Sequence, residues 1–151
     1  MRRTLPLIVV LLAVIGFGQV PNSSPVPDYA NLPDTADDAA KIIHPTLKHL
    51  ATQTRRDARG QFLYTLEYYI SVDDAEHRNG KVEFIGLVWR DKTRLMLTAF
   101  VIDCQRNLFR YKQTMIYSNK KLKFVESDRF DPIPKGAVIR QASVKLCGVV
   151  A

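Results

Sequence analysis

Leu95 to Cys104 reads Leu-Met-Leu-Thr-Ala-Phe-Val-Ile-Asp-Cys, an apolar run that ends in one of the chain's two cysteines. Side chains alternate across an extended backbone, so Met96, Phe100 and Ile102 share one side and Leu95, Leu97 and Val101 the other. A strand that is apolar on both sides must be covered on both sides. The run therefore predicts a central strand, and Cys104 at its end places a covalent anchor there. The other cysteine, Cys147, stands near the C-terminus.

What the cysteines do depends on compartment. Arg2 and Arg3 precede an apolar stretch, Leu5 to Phe17, and Gly16-Phe17-Gly18 puts small residues where a signal peptidase cuts. Residues 1–18 are thus expected to be a secretory signal peptide. The alternative is a retained anchor, but the stretch is shorter than the roughly 20 residues a spanning helix needs, and Pro6 lies near its start. No cysteine stands near Gly18 to carry a lipid, and no later segment is apolar enough to span a membrane. In an oxidising compartment two cysteines most simply form one disulfide, Cys104–Cys147. A metal site or a reactive thiol is the other reading; neither CxxC spacing nor a nearby histidine supports a metal. The bridge would close a loop of 44 residues, counting both ends, which the chain-entropy model values at about 4 kcal/mol.

The formal charge of +7 is unevenly spread: residues 19–76 carry five Lys/Arg against nine Asp/Glu, and residues 77–151 fifteen against six. A basic half of this kind attracts anionic surfaces such as polysaccharide, lipid headgroups or acidic protein patches. Export argues against nucleic acid as the partner.

Residues 19–34 hold four prolines and read as an extended tether, leaving one domain over 35–151. Thr35 with Asp38 resembles a capping box, and Ala39, Ile43, Leu47 and Leu50 recur at helical spacing, predicting a helix from Thr35 to about Thr52 that Pro45 kinks or divides. His44 and His49 are five apart and read as surface or cap residues. A basic loop, 54–60, follows. Gln61 to Val72 alternates as a strand whose even face is aromatic and aliphatic, read as sheet core rather than as a ligand platform. Residues 73–78 read as a polar loop without calcium-ligand spacing. Asn79-Gly80 marks a turn, and Lys81 to Arg90 a strand with Val82, Phe84, Gly86 and Val88 on one side.

Asn107 to Tyr117 alternates again, with Phe109, Tyr111, Met115 and Tyr117 on one side and Arg110, Lys112, Thr114 and Ile116 on the other. Ser118-Asn119 turns the chain, and Lys120 to Glu126 returns it. On this reading Leu122 and Phe124 join the apolar side, and Lys121 and Lys123 join Arg110 and Lys112. Those four cations are the candidate binding residues; the alternative is a merely solvated outer face. Asp131-Pro132-Ile133-Pro134 reads as a rigid segment outside any ladder. Gly136 to Cys147 fits helix through Val138, Ala142 and Leu146, since strict alternation would bury Arg140.

The residues from 62 to 147 resemble the surface-adhesin E family of small exported bacterial domains. The matching pieces are Tyr69-Ile70, Asn79-Gly80, Val88-Trp89, Asp103-Cys104, Arg110-Tyr111, Phe130 to Gly136 and Leu146-Cys147. The chain departs from that pattern in having Phe130 in place of Trp and Ala137 in place of Ser, with one residue inserted before Gly136. The resemblance implies an α+β fold: a bent antiparallel sheet of about five to six strands with a C-terminal helix tied to one face by the disulfide, here with an extra N-terminal helix. Such a helix would cover Met96, Phe100 and Ile102, a burial worth roughly 5–8 kcal/mol gross. The resemblance also implies residence in the periplasm or on the surface of a Gram-negative bacterium.

No Gly-x-Ser-x-Gly, His-Glu-x-x-His, phosphate-binding loop or dinucleotide fingerprint is present, so no enzyme activity, metal or cofactor is expected. The expected function is a non-catalytic binding module for a protein or anionic polysaccharide. The alternative is a periplasmic structural or accessory domain without a host ligand, and a homodimer is compatible with either.

Overall fold

The computed structural model describes residues 28–148. The signal-peptide reading and most of the tether, residues 19–27, lie outside that range. The end of the tether does not: a 3-10 turn, Tyr29–Asn31, lays Tyr29 against Tyr117 with ring centroids 5.7 Å apart, and Leu32 is buried. Residues 28–34 thus belong to the packed domain.

Helix α1, Ala36–Ile43, begins as its sequence directs. The Thr35 hydroxyl accepts from the Asp38 backbone N–H and donates to the Asp38 carboxylate, with Asp37 and Asp38 at the positive end of the dipole. It does not run on to Thr52. Proline disfavours helical geometry in the residue before it, and His44 is extended, with φ −157° and ψ 114°. Residues Leu47–Arg56 instead form strand β1, which also replaces the start of the expected basic loop. The spacing of Leu47 and Leu50 that imitates a helix places them on opposite sheet faces.

The remaining elements are β2 (Phe62–Ser71), β3 (Glu76–Arg78), β4 (Lys81–Asp91), β5 (Arg94–Asp103), β6 (Leu108–Ser118), β7 (Lys121–Glu126), β8 (Asp131–Pro132) and helix α2 (Val138–Cys147). The eight strands form one antiparallel sheet in the order β1-β2-β4-β5-β6-β7, with β3 paired to β4 and β8 to β6. Two segments expected to lie outside the ladders are therefore in them. Residues Glu76–Arg78 form half of a hairpin about Asn79-Gly80, both at positive φ as a tight two-residue turn requires. Asp131 and Pro132 pair with Phe109 and Leu108.

The central strand β5 is covered on both sides over most of its length; Met96, expected under the C-terminal helix, is 37% exposed because that helix covers only the Phe100 and Ile102 end of the face. On one face α1 and the turn before it bury Tyr69, Leu87, Trp89, Leu95 and Tyr117; Ala39, with no accessible surface, lets the helix backbone approach the sheet closely. On the other, α2 and Ile133 cover Ile70, Val82, Phe84 and Ile102. Cys104 and Cys147 form the disulfide with Cα atoms 5.7 Å apart, tying the last residue of α2 to the end of β5. The first residue of α2 has no side-chain cap, because Ala137 stands there, and Gly148 closes the helix at φ 66°.

Strand β6 holds a departure with functional consequences. Ala99 pairs with Gln113 but Phe100 with Tyr111, so one residue is bulged out of the ladder. A one-residue slip exchanges the faces. Phe109 accordingly packs in the core under α2, whereas Met115 and Tyr117 pack in the core under α1.

Candidate functional site

The bulge separates the four cations that simple alternation groups together. Lys123 pairs with Ile116 and Lys121 with Ser118, on the α2 face beyond the bulge. Arg110 pairs with Val101, which pairs with Glu83, on the α1 face. Lys112, at the bulge, reaches this same Glu83 and forms an ion pair with it. Leu122 and Phe124, expected on an apolar inner side, share the face of Met115 and Tyr117 but are 50% and 47% exposed. The hairpin is therefore not a strand pair with one basic side.

Arg110 belongs to a different constellation, formed where α1 leaves the sheet uncovered. The ring of Phe130 has three cations over it: Arg110 at 5.1 Å, Lys81 at 5.5 Å and Arg106 at 5.9 Å from the centroid. The ring quadrupole attracts each cation and holds the like charges near one another. Arg106 is also neutralised locally, since its Nε lies 2.8 Å from Asp103, and that buried carboxylate accepts its backbone N–H at 2.9 Å. These contacts, the backbone N–H first, hold the Asp103 carboxyl below the usual carboxylate range.

Lys81 and Arg110 form no direct ion pair among the described residues, although Lys81, opposite Asp103 in the ladder, also helps to keep that carboxylate ionised. The Arg110 guanidinium makes one long hydrogen bond, 3.5 Å, to the Asp128 carbonyl, and its Nε is buried without a partner. A planar donor pinned against an aromatic ring with hydrogen-bonding capacity left over is suited to a carboxylate, sulfate or phosphate oxygen. Lys81 extends the cationic surface further, because it also lines a cleft of about 480 Å³ beside the disulfide, together with His77, Arg78 and Lys145. The result is a run of positive charge around the open end of the sheet.

Of this cluster only Arg110 is a candidate binding residue by sequence; Phe130 enters there only through the family resemblance, and Lys81 and Arg106 not as site residues at all. Lys81 and Arg106 are far apart along the chain and meet through the β4–β5 register, in which Lys81 pairs with Asp103. That register follows from the Asn79-Gly80 turn and the two apolar strands, and is the signal that leads to them. The histidines play modest parts: His44 ends α1, and His49 lies 2.8 Å from Glu67. Among the described residues no cluster of three or more potential ligands is placed to hold a metal ion, and no helix is long and apolar enough to cross a membrane.

Compared with known proteins, the chain matches no family model, no curated protein and no solved structure.

Proposed function

We propose that this protein is an exported, non-catalytic binding module, similar in kind to surface adhesin E, that docks an acidic protein or anionic polysaccharide on the cations around Phe130. The observation that carries this reading is the pair Lys81 and Arg110, held over one aromatic ring and in no direct ion pair among the described residues. Lys112, by contrast, already faces Glu83, and Lys121 and Lys123 lie on the other side of the sheet. The ligand has repeated negative charges, because the cations form a track from Lys145 through Lys81 to Arg110 rather than one enclosed pocket.

The test is equilibrium binding of the protein to a sulfated oligosaccharide at a series of salt concentrations. The reading requires affinity that falls with added salt, since solvent-facing charge pairs are screened. Affinity indifferent to salt, or none at low salt, refutes the docking surface. Protease treatment of intact and osmotically opened cells then separates the two settings. Digestion on intact cells supports a surface adhesin, and protection until opening supports a periplasmic module with an envelope partner.

A further inference from the structure

The α2 face holds a second feature, independent of the Phe130 cluster. Helix α2 covers one end of that face and stops short of the rest, leaving a cleft of about 530 Å³ between its first turn and the sheet. Its floor is Tyr68, Phe84, Val88 and Phe100, with Val138 and Ile139 along the helix side. The Phe100 ring lies where a side chain at residue 86 would otherwise stand: a Cβ on Gly86 would come within 2.8 Å of it. The volume is that of a small-molecule site, about 300–1,000 Å³.

The charged residues of the lining have one sign. Arg55 and Lys135 stand at the rim, neither has a carboxylate partner among the described residues, and no Asp or Glu lines the cleft. The uncapped first turn of α2 opens on the same side, through Ala137 and Val138. The apolar floor also continues out of the cleft. Tyr68, Val88, Met96 and Ile116 are successive cross-strand partners on one row of the sheet, and Met96 is 37% exposed. A compact aromatic ligand would leave that row bare, whereas a chain can lie along it.

From this arrangement we infer that the cleft binds a free long-chain carboxylate, with its headgroup at Arg55 and Lys135 and its acyl tail over Phe100 and along the row to Ile116. Charge complementarity selects the anion, and the length of the apolar row selects the acyl chain over a ring. The headgroup supplies orientation and the tail most of the affinity, as burial of methylenes does in other apolar sites.

The experiment is titration of the whole exported chain with hexadecanoate below its critical micelle concentration, alongside hexadecanol and hexadecyltrimethylammonium, which share the tail. Saturable binding of one hexadecanoate per chain, stronger than of either counterpart, is the expected result. Arg55→Glu with Lys135→Glu, both exposed, weakens it by about tenfold or more. Val138→Trp, which sets an indole in the cleft, weakens hexadecanoate and hexadecanol alike. Lys81→Ser with Arg110→Ser leaves it unchanged, so this site and the Phe130 cluster stand or fall separately. The inference is overturned by absence of saturable binding, by equal affinity for hexadecanol, or by full affinity in the charge-reversed protein whose fold is shown intact by its melting curve. It is equally overturned if only vesicles of anionic lipid bind, which would make the face a membrane-contact surface.

Discussion

Replacing both cysteines, Cys104→Ser with Cys147→Ser, is expected to remove about 4 kcal/mol of stability. The figure comes from the loop the bridge closes, 44 residues from 104 to 147 inclusive, whose closure lowers the entropy of the unfolded chain by that amount in the chain-entropy model. Little else secures α2 independently. Its ten residues are too few for a stable isolated helix, its start lacks a side-chain cap, and its buried residues are Ala142, Ser143 and Leu146. Against a net stability of about 5–15 kcal/mol for a domain, the bridge decides whether the helix stays docked. The assay is urea unfolding of both proteins, followed by far-ultraviolet circular dichroism and by fluorescence of Trp89, the one tryptophan, buried in the core under α1. The variant should unfold at lower urea with a steeper dependence, because its unfolded chain exposes more surface. Its α2 amides should exchange before the Trp89 core opens. A loss below about 1 kcal/mol, with α2 protected as well as β5, would refute the reasoning and show that packing alone holds the helix.

Two further substitutions test local parts of the account. Gly86→Ala forces a methyl within 2.8 Å of the Phe100 ring and should cost about 1–3 kcal/mol; Phe100→Leu in the same chain should recover part of it, and an additive double variant would contradict the contact. Asp103→Asn should cost on the order of 1–2 kcal/mol at neutral pH through weaker bonds from Arg106. Because the folded-state Asp103 carboxyl is held below its ordinary value, its contribution is full above about pH 4 and is lost as pH falls through the folded value. Acidification below that range should narrow the gap between the Asn variant and the parent in urea midpoints, and a constant gap would contradict the assignment.

Much of the fold is legible in the sequence because its signals are local and redundant. The Asn79-Gly80 turn, the two-sided run of β5, the Thr35 cap and the single cysteine pair each specify their element, and they agree. The failures have a common physical form. Leu47 and Leu50 have helical spacing, yet a strand that sets one of them against each face of the sheet has the same spacing, and Pro45 ends the helix before them. In β6, Phe109, Tyr111, Met115 and Tyr117 all have odd numbers, so alternation appears unbroken across a bulge that changes their face. That bulge is why Arg110 and Lys112 part from Lys121 and Lys123. The Phe130 cluster was illegible for a different reason: Lys81, Arg106 and Phe130 come from three separate segments, and only pairing brings them together.

The most direct test of the central claim compares two variants that remove equal charge. Lys81→Ser with Arg110→Ser removes the two cations at Phe130 that are in no ion pair and leaves Arg106 with Asp103, and Lys121→Ser with Lys123→Ser removes two cations from the opposite face of the β6–β7 hairpin. Each is applied to an immobilised sulfated polysaccharide and eluted with salt. The account predicts elution of the first at clearly lower salt than the parent, with the second close to the parent. Equal shifts in both, or the larger shift in the second, would mean that net charge or the hairpin carries the binding, and would contradict the site around Phe130.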